Sequence, residues 1–131
     1  MIEALKLIKH NVTSRIVDHY QPKYAVEITD YEYQNYDNVI KFKIKLMDVN
    51  FDVQFPGYTS VIVKIWYYPA QFNNDIIEVT ISFGDNGYYY DKAFEQSIEY
   101  PNIFDDMSNK CYGLIIDYFS RRHYHMDKVK S

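Results

Sequence analysis

Cysteine, glycine and proline are all scarce in this chain of 131 residues, and each shortage narrows the reading. Cys111 is the sole cysteine, which excludes an intramolecular disulfide and any multi-cysteine metal centre. A lone thiol fits a reducing compartment. The four glycines, Gly57, Gly84, Gly87 and Gly113, form no phosphate-cradling loop. With only four prolines as well, long flexible linkers are not expected. No apolar run approaches the length of a membrane span. The opening Met-Ile-Glu-Ala-Leu-Lys, with an acid at position 3, does not read as a signal peptide. A cytoplasmic location, in the producing or an infected cell, is therefore expected. The net charge of −4 argues mildly against general affinity for nucleic acid.

What is present is ordinary in bulk and unusual in one respect. Hydrophobic residues at 47% and charged residues at 24% describe a single globular domain over residues 1–131, large enough to bury a core. The unusual feature is tyrosine, with fifteen copies. Tyr24, Tyr31, Tyr33 and Tyr36 interleave with Glu27, Asp30, Glu32 and Asp37, with no Lys or Arg between Tyr24 and Asp37. Tyr88, Tyr89, Tyr90 and Tyr100 lie among Asp85, Asp91, Glu95 and Glu99, with Lys92 the only base. Tyrosine joins a large apolar ring to one polar handle, which suits both half-buried packing and protein interfaces.

Hydrophobic periodicity orders the chain. Ile2, Leu5, Ile8, Val12 and Ile16 repeat at three- and four-residue spacing and predict a helix over about 2–20, stopped by Pro22. Ile40, Phe42, Ile44 and Leu46 alternate with Lys41, Lys43 and Lys45, the clearest half-buried strand in the sequence. A phase slip near Asp48–Asn50, before Phe51, Val53 and Phe55, predicts a tight turn or bulge, and Pro56-Gly57 a further turn. Residues 61–68 are apolar at both parities and predict a central strand. Ile77, Val79, Ile81 and Phe83 alternate with Glu78, Thr80 and Ser82. Gly84-Asp85-Asn86-Gly87 then reads as a hairpin loop with a return arm to about Lys92, and residues 93–100 fit either strand or short helix.

A second helix is predicted over about 102–122, with Asn102 as its cap, Asp105 and Asp106 at its positive end, and Met107, Cys111, Leu114, Ile115, Tyr118 and Phe119 as its stripe. The polar tail 125–131 is expected to fray. This order predicts an α+β fold, an antiparallel four- to five-stranded β-meander flanked by an N-terminal and a C-terminal α-helix packed on one face.

Catalytic punctuation is missing. His123, His125 and Asp127 form an H-x-H-x-D string at a helix end, where cationic side chains complement the dipole, so no metal site is expected. His10 and His19, on the first helix, read as solvent-facing or capping residues. Cys111 lies on an apolar stripe and reads as a buried inert thiol. Ser60 and Ser82 lack a nucleophile-elbow context. No catalytic residue and no cofactor are expected.

Two surfaces remain. The acidic tyrosine segments combine rigid aromatic anchors with spaced carboxylates, which suits docking on a basic site of another protein, including a nucleic-acid-binding one. The expected partner-binding residues are Asp30, Tyr31, Glu32, Tyr33, Tyr36 and Asp37, joined by Asp85, Tyr89 and Asp91. The alternative is a single-strand nucleic-acid face built from Lys41, Lys43, Lys45, Lys64 and Trp66; alternating Lys on a strand is also how sheets stay soluble. The usage of Ile, Lys, Asn, Tyr and Asp resembles AT-rich coding sequence and fits a small phage or mobile-element accessory protein. The expectation is a non-enzymatic, protein-binding inhibitor of the anti-CRISPR, anti-restriction or immunity type, with homodimerisation open because an uncovered sheet face can pair with its own copy.

Overall fold

A computed structural model describes residues 2–31, 38–48, 58–69, 74–85 and 88–130, with positions 48, 58, 85, 88, 89 and 123–130 in backbone only. The elements are α1 (Ile2–Tyr20), β1 (Tyr24–Tyr31), β2 (Val39–Asp48), β3 (Tyr58–Tyr68), β4 (Ile76–Asp85), β5 (Tyr88–Ser97) and α2 (Ile103–Lys130). The five strands form one antiparallel sheet in the order β1-β2-β3-β4-β5. The α+β meander read from periodicity is the observed fold, with five strands, within the four to five expected.

Strand alternation sends Phe42, Ile44 and Leu46 of β2, Val61, Val63 and Ile65 of β3, and Ile77, Val79, Ile81 and Phe83 of β4 to one face. There they meet Leu5, Ile8, Val12 and Ile16 of α1, and Met107, Cys111, Ile115 and Phe119 of α2, in a single buried cluster. The two helices lie side by side and run in the same direction. The Arg15 guanidinium sits 3.9 Å from the Tyr112 ring centre, and Tyr20 meets Phe119 edge-on at 5.9 Å. Five intervening strands, an odd number, return the chain to the end of the sheet from which α2 can run alongside α1. Tyr118 ties α2 to the sheet: its hydroxyl donates to the Gly84 carbonyl and accepts from Thr59 Oγ1 at 3.4 Å.

Boundaries show where local chemistry acts. α1 ends at Tyr20, two residues before Pro22, with Gln21 N–H still donating to the Val17 carbonyl at 2.9 Å. Asn102 has a left-handed φ of 58°, which Asn tolerates, and its carbonyl accepts from Asp106 N–H at 2.9 Å to open α2. α2 continues to Lys130, beyond the end near residue 122 expected from its apolar stripe. No proline or glycine follows Gly113 to interrupt it. Residues 93–97, left open between strand and helix, extend β5, with Ile76 opposite Ser97. Gly84 and Asp85, read as part of the hairpin loop, belong to β4, where Asp85 pairs with Tyr88; Asn86 and Gly87 lie outside the described residues. The expected slip at Asp48–Asn50, with the Phe51–Phe55 and Pro56-Gly57 readings, lies largely outside the described residues; β2 itself runs unbroken to Asp48. Among the described residues no helix is long and apolar enough to cross a membrane.

Candidate binding surface

Both helices cover the same side of the sheet, and among the described residues no element covers the other side, called the open face. Its side chains are the complementary parity of each strand, and the register sets them in rows. One row reads Tyr31, Lys41, Lys64, Thr80, Ala93 from β1 to β5. The next reads Thr29, Lys43, Ile62, Ser82, Asp91, and beyond it Glu27 faces Lys45 and Ser60. On the other flank Trp66 is followed by Glu78 and Glu95.

The open face is therefore striped by charge. Lys41, Lys43, Lys45 and Lys64 occupy β2 and β3, whereas Glu78, Asp91 and Glu95 occupy β4 and β5. Toward the end of β3, Trp66 stacks on Tyr68 with ring centres 5.8 Å apart and planes 14° from parallel. Lys64 Nζ sits 5.5 Å from the Trp66 ring, and Lys41 Nζ 4.8 Å from the Tyr31 ring. The Tyr68 hydroxyl donates to Glu78 Oε1 at 3.4 Å. Burial pushes the Tyr68 phenol up, and the Glu78 carboxylate beside it adds to that. Lys41 lies directly opposite Lys64. Like charges at directly opposed sheet positions are mildly unfavourable, and here the two ammonium groups turn to different rings.

All five residues of the nucleic-acid reading thus share one face. The acidic tyrosine residues do not. Asp30 and Tyr31 are neighbours on a strand and point to opposite sides: Asp30 is ion-paired with Lys9 of α1, while Tyr31 lies over Lys41 on the open face. Asp91 stands on the far edge strand, four strand spacings or roughly 19 Å away. Glu32, Tyr33, Tyr36 and Asp37 lie outside the described residues, and Asp85 and Tyr89 are described in backbone only, within β4 and β5. Glu78 and Glu95 were missed as members of a site. Their parity was legible, but the strand order that sets them beside Trp66 was not.

Elsewhere the chemistry is structural. Cys111 is fully buried, and desolvation pushes its thiol up to about 12, so it holds its proton and is inert. The Tyr67 phenol is raised first by its hydrogen bond to Asp75 and then by burial. His10 and His19 are exposed and two and a half turns apart, on opposite sides of α1. His123 and His125 fall on α2, described in backbone only. Among the described residues no group of three His, Cys, Asp or Glu could hold a metal ion. Comparison of the chain with protein-family models, with curated proteins and with solved structures finds no match to any of them.

Proposed function

We propose that the protein is a non-enzymatic binding module that docks on a basic site of another protein through the acidic, tyrosine-bearing margins of its sheet. The observation that carries this reading is which aromatic rings face water. Among the described residues, the large hydrophobic side chains most exposed are Leu7, Tyr31, Tyr68, Tyr90 and Tyr100. Tyr31 accompanies the exposed Glu27 and Asp30 at one margin; Tyr90 and Tyr100 accompany Asp91, Glu95 and Glu99 at the other. Exposed tyrosine beside carboxylate supplies rigid contact area and electrostatic steering toward a positive surface. A module of this kind acts by occupancy. Its small size, residue usage and lack of catalytic motifs support an inhibitory role of the anti-CRISPR, anti-restriction or immunity type, in a phage or mobile element.

Affinity capture from the native host, with mass spectrometry and then association kinetics, tests this reading. The expected partner is a protein with a basic site. The Asp30→Lys, Glu32→Lys double change should slow association and flatten its salt dependence. Unchanged kinetics would remove the β1 margin from the interaction.

One observation favours a second reading. Lys41, Lys43, Lys45, Lys64 and Trp66 share the sheet face opposite the helices, an arrangement that suits phosphate contact and base stacking on single-stranded nucleic acid. Such binding must weaken steeply with salt, so a titration against labelled oligonucleotides decides it. The acids on β4 and β5 of the same face weigh against it.

A further inference from the structure

We propose that the cleft between α1 and the end of the β1–β2 pair binds a small organic phosphate, with the phosphate on lysine ammonium groups and the organic body on an apolar lining. On α1, Lys6, Lys9, His10 and Thr13 recur at three- and four-residue spacing and form one stripe beside the core-facing Leu5, Ile8 and Val12. Across from that stripe stand Ile28 and Asp30 of β1 and Val39 and Ile40 of β2, around a cavity of about 460 Å³. Sites for small ligands fall in this size range. Tyr31 and Lys41 line it from the edge of the open face.

Charge selects the ligand. Three lysines and one histidine line the cleft against Asp30, the one acid among its described residues, in a chain where eighteen acids face fourteen Lys and Arg. Same-sign neighbours three and four apart on a helix repel mildly, so solvation alone favours a mixed stripe. Glu3 lies 3.7 Å from the Lys6 ammonium, but both are exposed, and such a pair offsets little. Lys9 is different. Its side chain is only 24% exposed, its Nζ sits 5.7 Å from the Phe42 ring, and it is ion-paired with Asp30. A long side chain already held in place loses little further freedom when a ligand arrives.

Asp30 shows what this ammonium accepts. A carboxylate oxygen stands against Lys9 where a ligand oxygen would, on a side chain 65% exposed and close to water. An ammonium has three donors, and Asp30 Oδ1 takes one. Phosphate, with up to two charges and three terminal oxygens, engages Lys9 and Lys6 together, whose Cβ atoms are about 5–6 Å apart at this spacing. His10, one turn beyond Lys6, offers a ring N–H. The rest of the lining is apolar: Val39 is buried, and Ile28 and Ile40 are half-buried. Inorganic phosphate alone leaves that surface wet, whereas an apolar or aromatic body covers it.

The site does not rest on the docking function, and Asp30 separates the two. Docking uses its carboxylate, whereas a bound phosphate competes with that carboxylate for Lys9. Removing it should therefore slow docking and tighten phosphate binding.

An NMR titration of the isotope-labelled full chain with phenyl phosphate tests the site, with inorganic phosphate and benzyl alcohol as the two halves of the probe. Phenyl phosphate should shift the amides of residues 6–10, 28–31 and 39–41 saturably and bind more tightly than inorganic phosphate, while benzyl alcohol leaves them unmoved. Lys9→Gln and Lys6→Glu should each weaken binding about tenfold or more, the loss of one charge-assisted hydrogen bond. Asp30→Asn should strengthen it, and Lys43→Gln on the open face should leave it unchanged. Circular dichroism shows whether each variant folds; Lys6 is exposed, so its variant decides the matter should Lys9→Gln not fold. No saturable shift in the unmodified chain up to about 10 mM would overturn the proposal. So would shifts centred on Lys43, Lys45 and Lys64, unchanged affinity in folded Lys6→Glu, or weaker binding in folded Asp30→Asn. Equal affinity for phenyl phosphate and inorganic phosphate would overturn the organic body, and equal affinity for benzyl alcohol the phosphate.

Discussion

The two faces of this sheet are made by the same alternation of residues on the same strands, yet different forces specify them. On the helix-covered face every central position is apolar and buried, and shape decides which side chain fits. On the open face the same strands present Lys, Glu, Thr and Ser with an aromatic pair toward one end of β3, and charge rather than shape is patterned. Phe42 and Lys43 are adjacent in β2 and belong to these two regimes. The first answers to the fold. The second answers to solvent, where alternating lysine keeps a sheet soluble, and to whatever that face binds.

Truncation should separate the faces most sharply. Phe42→Ala is expected to lower unfolding free energy by about 3–5 kcal/mol, because it removes a fully buried ring and leaves a cavity. Lys43→Ala next to it should cost less than about 0.5 kcal/mol in the single chain. Urea midpoints measured at one protein concentration compare the two, and a large loss at Lys43 would break the contrast.

The buried thiol gives the next effect. Raised from its ordinary 9.0 to about 12, Cys111 contributes stability that is fully present below about pH 9 and is lost progressively as pH rises toward 12, since only the unfolded chain releases the proton in that range. By pH 11 the loss is about 2–3 kcal/mol. Denaturant titrations at pH 8 and pH 11 should show that slope in the natural chain and a shallower one in Cys111→Ala. Equal slopes would mean that the thiol is not sealed.

Tyr118→Phe should cost about 1–2 kcal/mol by leaving the Gly84 carbonyl and the Thr59 hydroxyl without their partner. Thermal unfolding checks it, and no change would remove the hydroxyl from the helix–sheet contact. The smallest effect is on the open face. Lys64→Gln removes one of two directly opposed ammonium groups, and the single chain should become equally stable or more stable by a few tenths of a kcal/mol. Its stability is best read at submicromolar concentration, and a loss near 1 kcal/mol would show that Lys64 supports the fold.

Most of the fold was legible because it is written in periodicity. Leu5, Ile8, Val12 and Ile16 announced α1, the Ile40–Leu46 alternation announced β2, and two-sided apolarity placed β3 at the centre. β1 was harder. Tyr24–Tyr31 drew attention through its acids and rings, while Val26 and Ile28, the inward pair of an edge strand, gave a weak signal. The site was less legible for a physical reason. Alternation tells which side chains share a strand face, and it gathered Lys41, Lys43 and Lys45 correctly. It cannot tell that Lys64 stands opposite Lys41, that Glu78 neighbours Trp66, or that Asp30 turns back to Lys9, because these follow from register between strands.

Trp66 is the only tryptophan in the chain and stands beside Lys64 toward the end of β3, so its emission reports directly on whether a ligand reaches the lysine-bearing face. The decisive measurement is the emission of the unmodified protein titrated with a single-stranded oligonucleotide at low salt. Docking through the acidic margins predicts emission that stays unchanged over the whole titration. Quenching that saturates with oligonucleotide and is lost as salt rises would contradict the account.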